Sequence, residues 1–446
     1  MRSRDLLLPV MLVIAGCGSQ SSMSSGGNPP PSYLFPSAST MQLVTQFGTG
    51  TYDATTKQGD TISGLAQDSD GNIYVAGYTA GNLAGSNGTV GILKGTLYKF
   101  DQNGNQVWAR ELTTGSGDTL AGVALTSSGV EIAGATMGAY PGMSNPSGTS
   151  EPFVAVYDSN GNLQWLKQYT SSYPVQVETM TLDSNGSLLL GGETGDSDGG
   201  QDLWLARIDS SGALLWQQTY GTGAIDVMLS VSTDASGNVY AAGSTDGAFP
   251  GGPSNANGMP FVLKLDGTSG ATVWLQQFKN DSVLSAMYAS AVEATSNGYL
   301  YVLGEVGIYG TNAAIELVQM DPGTGYANWK FQFGAGGQNL PGGSVIVDAS
   351  GNVYVAGMTR GALASGVTTG VQDVFLAKVS ASGAAIWAQQ MGTGKEEPAL
   401  GSTGSAPVFL TAGANDVVLG GVTAGQFPGF SNPTQAVELF LAKFGE

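Results

Sequence analysis

A phrase close to Gly-Asn-Val-Tyr-Val-Ala-Gly recurs seven times along this chain of 446 residues. Six intervals of about 57 residues each separate the first copy from the last. A period of this length predicts a protein built from one repeated supersecondary unit, in which each unit buries its apolar surface against its neighbours. The copies end at Gly77, Gly134, Gly192, Gly243, Gly304, Gly357 and Gly421.

The residues within each unit favour β-strands. The recurring phrase is rich in Val, Tyr and Ala, and an Asp-x-x-Gly turn precedes it in several copies. A second set of such turns precedes a later strand, so each unit holds two hairpins, or four strands, as a β-propeller blade does. Since the 69 glycines and 18 prolines would interrupt most long helices, we expect an all-β, seven-bladed propeller over residues 41–446. The first turns begin at Asp68, Asp183, Asp234 and Asp348, and the second at Asp101, Asp158 and Asp209.

A tryptophan opens a segment similar to Trp-x-x-Gln-aromatic in six of the units. Because it holds one position per unit, we expect its ring to pack between neighbouring blades, and Trp204, which lies outside this register, to belong to the core as well. The seventh copy stands at the front of the repeats, in the segment from Leu43 to Phe47, with Leu43 in the tryptophan position. This first strand is expected to complete the last blade and so close the ring. The six tryptophans are Trp108, Trp165, Trp216, Trp274, Trp329 and Trp387.

A short leader precedes the repeats. Arg2 and Arg4 come before an apolar run, Leu6 to Ala15, that is too short to span a bilayer as a helix, which is typical of a signal peptide. The run ends in Ile-Ala-Gly-Cys17, which resembles a bacterial lipobox, and Cys17 is the only cysteine of the chain. We therefore expect residues 1–16 to be a lipoprotein signal peptide, Cys17 to carry the lipid, and residues 17–40, rich in Ser, Gly and Pro, to be a flexible linker.

Composition excludes several classes of function. The chain has no histidine, which rules out His-based triads and ordinary zinc or copper sites. Its net charge of −19 would repel nucleic acid and anionic lipid surfaces. Carboxylates, hydroxyls, Tyr, Lys and Arg remain, so carboxylate-pair glycosidase chemistry and calcium binding stay open. We expect no other cofactor and no nucleic-acid partner.

The units resemble the SBBP β-propeller repeat of bacterial exported proteins. The resemblance rests on the segment from Asp348 to Gly357, the Gln372 to Lys378 segment and the Ile386-Trp387 pair, and it covers residues 41–446. It implies a propeller fold and an exported location, and no particular biochemical activity. Two units also carry an Asp-x-x-Thr-Gly-like element before Trp274 and Trp329, a weaker likeness to quinoprotein propellers that does not imply a bound quinone.

Three aspartates hold one equivalent position, ahead of the first hairpin turn of their units: Asp60, Asp118 and Asp226. If the innermost strands begin there, these carboxylates would ring the channel mouth and could bind a cation or sugar hydroxyls. The other interpretation is that they stabilise the entry to the strand. Long Gly- and Asn-rich loops on one face are the expected recognition surface. These loops are residues 78–92, 136–152, 245–260, 359–373 and 423–437.

The sequence thus predicts an envelope lipoprotein, anchored in the outer membrane, on its periplasmic or its surface side. We expect a monomer that acts as a non-catalytic module binding an envelope protein or a glycan. The alternative is a carboxylate-dependent polysaccharide hydrolase or lyase with its site at the channel mouth.

Overall fold

The computed structural model describes residues 36, 41–50, 59–195, 200–253, 258–278, 286–306, 314–334, 339–359, 361–363, 373–392, 408–413, 416–423, 425–427, 430 and 437–445. These residues form seven four-stranded antiparallel sheets, and all regular elements among them are strands. No helix able to cross a membrane occurs in this part of the chain. The fold is the seven-bladed all-β propeller that the repeats predict. Cys17 and the expected signal peptide lie outside the described residues.

Six blades are each built from four consecutive strands that run from the channel outward. Blade 1 comprises β2 (Thr61–Gln67), β3 (Ile73–Thr79), β4 (Lys94–Phe100) and β5 (Gln106–Leu112). Blade 2 comprises β6 (Asp118–Thr126), β7 (Gly129–Thr136), β8 (Glu151–Tyr157) and β9 (Leu163–Gln168). Blade 3 comprises β10 (Val175–Leu182), β11 (Leu188–Gly195), β12 (Gln201–Ile208) and β13 (Leu214–Tyr220).

Blade 4 comprises β14 (Asp226–Thr233), β15 (Val239–Thr245), β16 (Met259–Leu265) and β17 (Thr272–Gln277). Blade 5 comprises β18 (Ala286–Ala294), β19 (Leu300–Val306), β20 (Ala314–Met320) and β21 (Ala327–Phe333). Blade 6 comprises β22 (Asn339–Val347), β23 (Val353–Thr359), β24 (Asp373–Val379) and β25 (Ala385–Met391). Blade 7 takes β26 (Phe409–Ala412), β27 (Asp416–Thr423) and β28 (Glu438–Gly445) from the C-terminus and β1 (Met41–Phe47) from the N-terminal side.

The first strand closes the ring, as predicted. β1 pairs antiparallel with β28, with Gln46 opposite Phe440, and so forms the outermost strand of blade 7. At its end, the ring of Phe47 lies 5.0 Å from that of Tyr98 and 4.6 Å from that of Phe100, both in blade 1. The two ends of the repeat region therefore meet in one blade and in the apolar contact beside it, which closes the ring at the seam.

In four of the blades the glycine that ends the phrase accommodates a backbone carbonyl. In blade 2 the carbonyl oxygen of Thr119 lies 1.9 Å from the point where a Cβ on Gly134 would stand. A β-bulge in β6, between Leu120 and Gly122, accompanies this close approach. Any larger residue would clash with the innermost strand, so the recurring glycine is a steric requirement. The equivalent carbonyl oxygen of the innermost strand lies as close to Gly77, Gly192 and Gly243 in their own blades.

The tryptophans join neighbouring blades, as predicted. The indole N–H of Trp216 donates a hydrogen bond of 2.9 Å to the carbonyl oxygen of Gly267 in the outer hairpin of blade 4. Gly270 in the same hairpin has φ of +72°, and a Cβ there would lie 3.1 Å from the Trp216 ring. Trp204, also predicted as core, is buried in β12. Equivalent indole bonds run from Trp108 to Ser159, from Trp274 to Pro322 and from Trp329 to Ala381.

Candidate functional site in the channel and on the long-loop face

The structure places Asp118 inside blade 2, with no exposed surface. Its carboxylate accepts hydrogen bonds from the backbone N–H of Thr114 at 2.7 Å, from the hydroxyl of Thr113 at 3.1 Å and from the phenol of Tyr140 at 3.1 Å. Thr113 and Thr114 belong to the connection from blade 1, while Tyr140 belongs to the long loop of blade 2. This one carboxylate therefore ties a blade connection to a loop.

Asp60 and Asp226 are buried in the same way. The hydroxyl of Thr49 donates to Asp60 at 2.8 Å, and the backbone N–H of Thr222 donates to Asp226 at 2.8 Å. Burial raises the pKa of both carboxyl groups, and the hydrogen bonds oppose that shift. The three aspartates thus lie inside the blades, not on an open channel wall, and each has a structural role as an anchor. Ligand binding by them remains a prediction.

No group of three metal-ligating side chains occurs among the described residues. The Asp68 turn, which superficially resembles a calcium loop, is a hairpin turn. The Asp68 carboxylate accepts hydrogen bonds from the backbone N–H groups of Asp70 at 3.1 Å and Asn72 at 2.9 Å. These bonds, with those from the Asn72 side chain, hold the pKa of Asp68 below its usual value although burial opposes them.

The glutamine of the Trp-x-x-Gln segment holds the long loop of its own blade. In blade 2, Gln168 accepts a hydrogen bond from the backbone N–H of Tyr140 at 3.3 Å and donates one to the carbonyl oxygen of Gly138 at 2.9 Å. The repetition of this glutamine is visible in the sequence, but its contact with the loop depends on the fold. We call this pair of bonds the glutamine clamp. The clamp recurs in two other blades, where Gln277 bonds the backbone of Phe249 and Gly247, and Gln46 bonds the backbone of Phe427 and Gly425.

Blade 1 replaces the clamp by two charged residues. Glu111 stands in the glutamine position and accepts hydrogen bonds from the backbone N–H of Leu83 at 3.1 Å and the hydroxyl of Ser86 at 2.7 Å. Lys94, only 1% exposed, donates to the carbonyl oxygen of Gly81 at 2.5 Å and to Asn82 at 2.7 Å. The same loop is therefore held by an ammonium and a carboxylate, where other blades use one amide.

Aromatic residues of the long loops of blades 2 and 4 fill these blades beneath the clamps. The ring of Tyr140 lies 5.1 Å from that of Phe153, and the ring of Phe249 lies 5.5 Å from that of Phe261. Tyr140 and Phe249 are each 4% exposed. The bases of these two loops are thus fixed by side-chain burial and by the clamps, which preorganises this part of the long-loop face.

The two strands nearest the channel carry acidic and no basic side chains, although several of the acids are buried inside the blades. The two innermost strands of all seven blades contain no lysine or arginine. A wall of one charge sign, in a narrow and poorly solvated space, concentrates the electrostatic field and attracts cations. The carboxyl groups on these strands belong to Asp118, Glu131, Glu178, Glu193, Asp226, Glu293, Glu305 and Asp416.

Glu178 is the carboxyl group that reaches the open channel. It lies at a β-bulge in the innermost strand of blade 3, between Val177 and Thr179, and its side chain is exposed. The surrounding protein nevertheless displaces enough water to raise the pKa of its carboxyl to about 7. A narrow channel explains this combination, because solvent reaches the carboxyl group but too little water surrounds it to solvate its charge fully.

Two neighbours complete this part of the channel. Glu193, on the next strand of blade 3, accepts a hydrogen bond of 3.0 Å from the backbone N–H of Met228 in blade 4, and burial with the nearby charge of Glu178 raises the pKa of Glu193 well above its usual range. Burial, and then the charge of Glu178, raises the pKa of Tyr78 to about 12. Tyr78 belongs to blade 1, so the phenol and the carboxyl group approach each other across the channel.

A family model described as the SBBP beta-propeller repeat matches residues 44–84. The chain therefore contains an SBBP repeat. The matched SBBP segment includes one member of each hydrogen-bonding set described above: Gln46 from the clamp, Asp60 from the anchors, and Thr79, whose hydroxyl donates to Asp60. These polar residues of the repeat form hydrogen bonds inside the fold.

No curated protein matches the chain in sequence. Several solved structures share its fold at low identity. "YCF48 bound to D1 peptide" is 14% identical, with 93% of this chain and 98% of that one covered and a TM-score of 0.49. The polysaccharide lyase Uly1 is 11% identical, with 92% and 99% covered and a TM-score of 0.47. Quinohemoprotein alcohol dehydrogenase from Comamonas testosteroni is 12% identical, with 90% and 76% covered and a TM-score of 0.44.

Blade 5 contributes two further carboxyl groups. Glu293 on β18 accepts a hydrogen bond from Ser232 at 3.3 Å, and Glu305 on β19 accepts one from Tyr288 at 2.6 Å. Burial raises the pKa of each to about 7. With Glu178 and Glu193, these groups form an acidic sector over blades 3 to 5, in which carboxyl groups can donate as well as accept hydrogen bonds near neutral pH.

Proposed function

We propose that this chain is a non-catalytic binding module of the bacterial cell envelope, which holds its ligand, an envelope protein or a glycan, on the long-loop face around the channel mouth. The observation that carries this proposal is the glutamine clamp with its buried aromatic residue. It fixes the bases of the long loops of blades 2, 4 and 7, and a surface whose backbone is fixed loses less conformational entropy when a partner binds. The three aspartates predicted to bind a ligand at the channel mouth, Asp60, Asp118 and Asp226, are engaged as anchors within the fold.

The envelope location belongs to the proposal. The segment ending in Cys17 has the form of a lipoprotein signal, and residues 17–40 would give the propeller a tether from the outer membrane. Acylation of Cys17 can be measured by expressing the chain in a Gram-negative host with radiolabelled palmitate. Labelled protein that disappears with Cys17→Ser is the expected result, and equal labelling of the two would contradict it.

Catalysis is the second candidate, because one observation favours it. Glu178 and Glu193 are two interacting carboxyl groups with raised pKa values, and such a pair can supply a general acid at neutral pH. Hydrolysis of a glycosidic bond would further need the two groups about 5 to 9.5 Å apart, on either side of a bound sugar. Glu193 bonds the backbone of Met228, which leaves it poorly placed to reach a substrate.

The decisive experiment incubates the purified chain with neutral and acidic polysaccharides and measures new reducing ends and unsaturated sugars. We expect none. An enzyme would be indicated by products that appear with the natural chain and with the control Glu131→Gln, but not with Glu178→Gln. This result would contradict the proposal of a binding module. In parallel, a glycan array and a calcium titration with Asp60→Asn, Asp118→Asn and Asp226→Asn combined test whether the aspartates bind a ligand.

A further inference from the structure

We infer that the channel mouth above blades 3 and 4 docks an extended peptide segment of a partner protein, in which an apolar side chain stands beside a lysine or arginine. This inference rests on the proposed function, since it names the partner class and the place on the module. It starts from three exposed apolar side chains, each before or within the innermost strand of blade 3 or blade 4. They are Tyr173, which is 46% exposed, Ile225, which is 44% exposed, and Leu229, which is 39% exposed.

The chain path puts these residues at the mouth. Tyr173 comes two residues before the innermost strand of blade 3, and Ile225 directly precedes the innermost strand of blade 4. The start of an innermost strand lies at the rim of the channel on the long-loop face. Leu229 lies further in, at the β-bulge of β14, the position that Glu178 holds in blade 3. The mouth of this sector therefore has an apolar rim above an acidic wall.

The backbone beneath this rim is held in place. The carbonyl oxygen of Ile225 accepts a hydrogen bond of 2.9 Å from the N–H of Asp246, and the N–H of Gln201 donates to the carbonyl oxygen of Ala224 at 3.3 Å. Pro174 accepts a longer bond of 3.4 Å from Gly195. The apolar side chains are thus presented to solvent by a fixed backbone. Exposed apolar groups in such a setting are typical of an interaction site.

Charge selects the partner. The wall below the rim has carboxyl groups and no lysine or arginine, and Glu178 forms no ion pair with the described residues. The described cationic side chains form bonds elsewhere. For example, Arg110 donates a hydrogen bond to the carbonyl oxygen of Gly161, and Lys264 donates one to that of Pro322. A cationic side chain that enters the channel would gain charge-assisted hydrogen bonds to Glu178, with its apolar neighbour against Tyr173 and Ile225.

A peptide can both cover the apolar rim and place a cation in the acidic channel, whereas other ligands do only one of these. A free divalent cation needs several oxygen ligands and would leave the apolar rim exposed. An anionic membrane surface would cover the rim but would be repelled by the acidic wall. In an extended peptide, neighbouring side chains point to opposite faces and alternate ones to the same face, so one segment can place an apolar group on the rim and a cation in the channel.

The test uses a labelled peptide in which lysine and leucine alternate, and measures its binding to the full chain by fluorescence anisotropy. Two control peptides replace leucine by serine or lysine by glutamate. We expect the first peptide to bind, the lysine–serine peptide to bind more weakly and the glutamate–leucine peptide not to bind. Glu178→Gln and the double variant Tyr173→Ser, Ile225→Ser should each weaken binding about tenfold.

Two variants on the opposite face serve as matched controls. Tyr326→Ser removes an aromatic residue that is 63% exposed in an outer hairpin, and Asp70→Asn removes an exposed acid. Neither should change the affinity. Equal binding of the lysine–leucine and lysine–serine peptides, equal losses in the control variants, or no binding by the folded chain would each overturn the inference. A different result, the appearance of products when the chain is incubated with polysaccharides, would contradict the proposed function.

Discussion

The side-chain oxygen of Gln277 accepts a hydrogen bond of 3.0 Å from the backbone N–H of Phe249, across the base of the long loop of blade 4. The same amide donates to the carbonyl oxygen of Gly247 at 2.7 Å. One residue on the outermost strand thus satisfies two backbone groups of a loop 28 and 30 residues away along the chain. The clamp links the outer wall of a blade to the face on which we place the binding site.

Gln277→Ala should lower the stability of the propeller and loosen this loop. The N–H of Phe249 and the carbonyl of Gly247 would lose their partners, which costs about 1 to 3 kcal/mol where the groups stay buried. Thermal unfolding measures the loss, and limited proteolysis should give new cleavage within residues 246–260. Gln217→Ala, on an exposed position of the outermost strand of blade 3, is the control and should leave both measurements unchanged.

Gly134→Ala should disrupt blade 2. The added Cβ would lie 1.9 Å from the carbonyl oxygen of Thr119, so β6 would have to move away from β7. We expect a loss of about 3 kcal/mol or more, or an insoluble product. Gly195→Ala provides the comparison, because a Cβ there meets nothing within 4 Å, and its unfolding temperature should stay close to that of the natural chain. Similar losses in both variants would contradict the steric explanation.

Trp216→Ala should separate blades 3 and 4. The ring is 9% exposed and packs on the hairpin of Gly267 and Gly270, so its removal should cost about 3 to 5 kcal/mol. Trp216→Phe keeps most of the ring and loses the indole N–H, so its cost should be smaller. Chemical denaturation followed by the remaining tryptophan fluorescence distinguishes the two. A phenylalanine variant as unstable as the alanine variant would assign the contact to the hydrogen bond.

Glu293→Gln should change how stability depends on pH. Burial raises the pKa of Glu293 from 4.5 to about 7 in the folded chain, so the folded state binds more protons than the unfolded state between these values. Stability should therefore fall as pH rises from about 4.5 to about 7. The glutamine variant lacks this loss and should exceed the natural chain at pH 8 by on the order of 1 to 3 kcal/mol. Unfolding at a series of pH values measures the difference, and Asp70→Asn is the control.

Asp118→Ala should weaken the join between blades 1 and 2. Its carboxylate accepts bonds from Thr113, Thr114 and Tyr140, and their loss should cost about 2 to 4 kcal/mol. Asp118→Asn keeps one acceptor oxygen and should lose less. Hydrogen exchange at residues 113–120 would locate the loosened segment. An alanine variant with unchanged stability and exchange would remove the anchor role and favour the ligand-binding interpretation.

The blade count, the strand order within a blade and the closure by β1 could be predicted because each depends on local patterns. A period of about 57 residues, hairpin turns at Asp68 and Asp101, and a strand with Leu43 in the tryptophan position can all be recognised from the order of residues along the chain. The tryptophans could be assigned to the blade contacts by their register alone. Repetition made these predictions robust, since each pattern occurs several times.

The location of the carboxyl groups could not be predicted in this way. Asp118 and Glu178 both lie on innermost strands, yet one is buried under Thr114 and Tyr140 while the other is exposed in the channel. The β-bulge sets which side chains turn toward the channel, and the arrangement of the blades around the axis brings Tyr78 of blade 1 within electrostatic reach of Glu178 of blade 3. The sequence by itself determined the repeated blade and its hydrogen-bonding residues. The tertiary structure decided which carboxyl groups water can reach, because solvation depends on the convergence of seven blades around one axis.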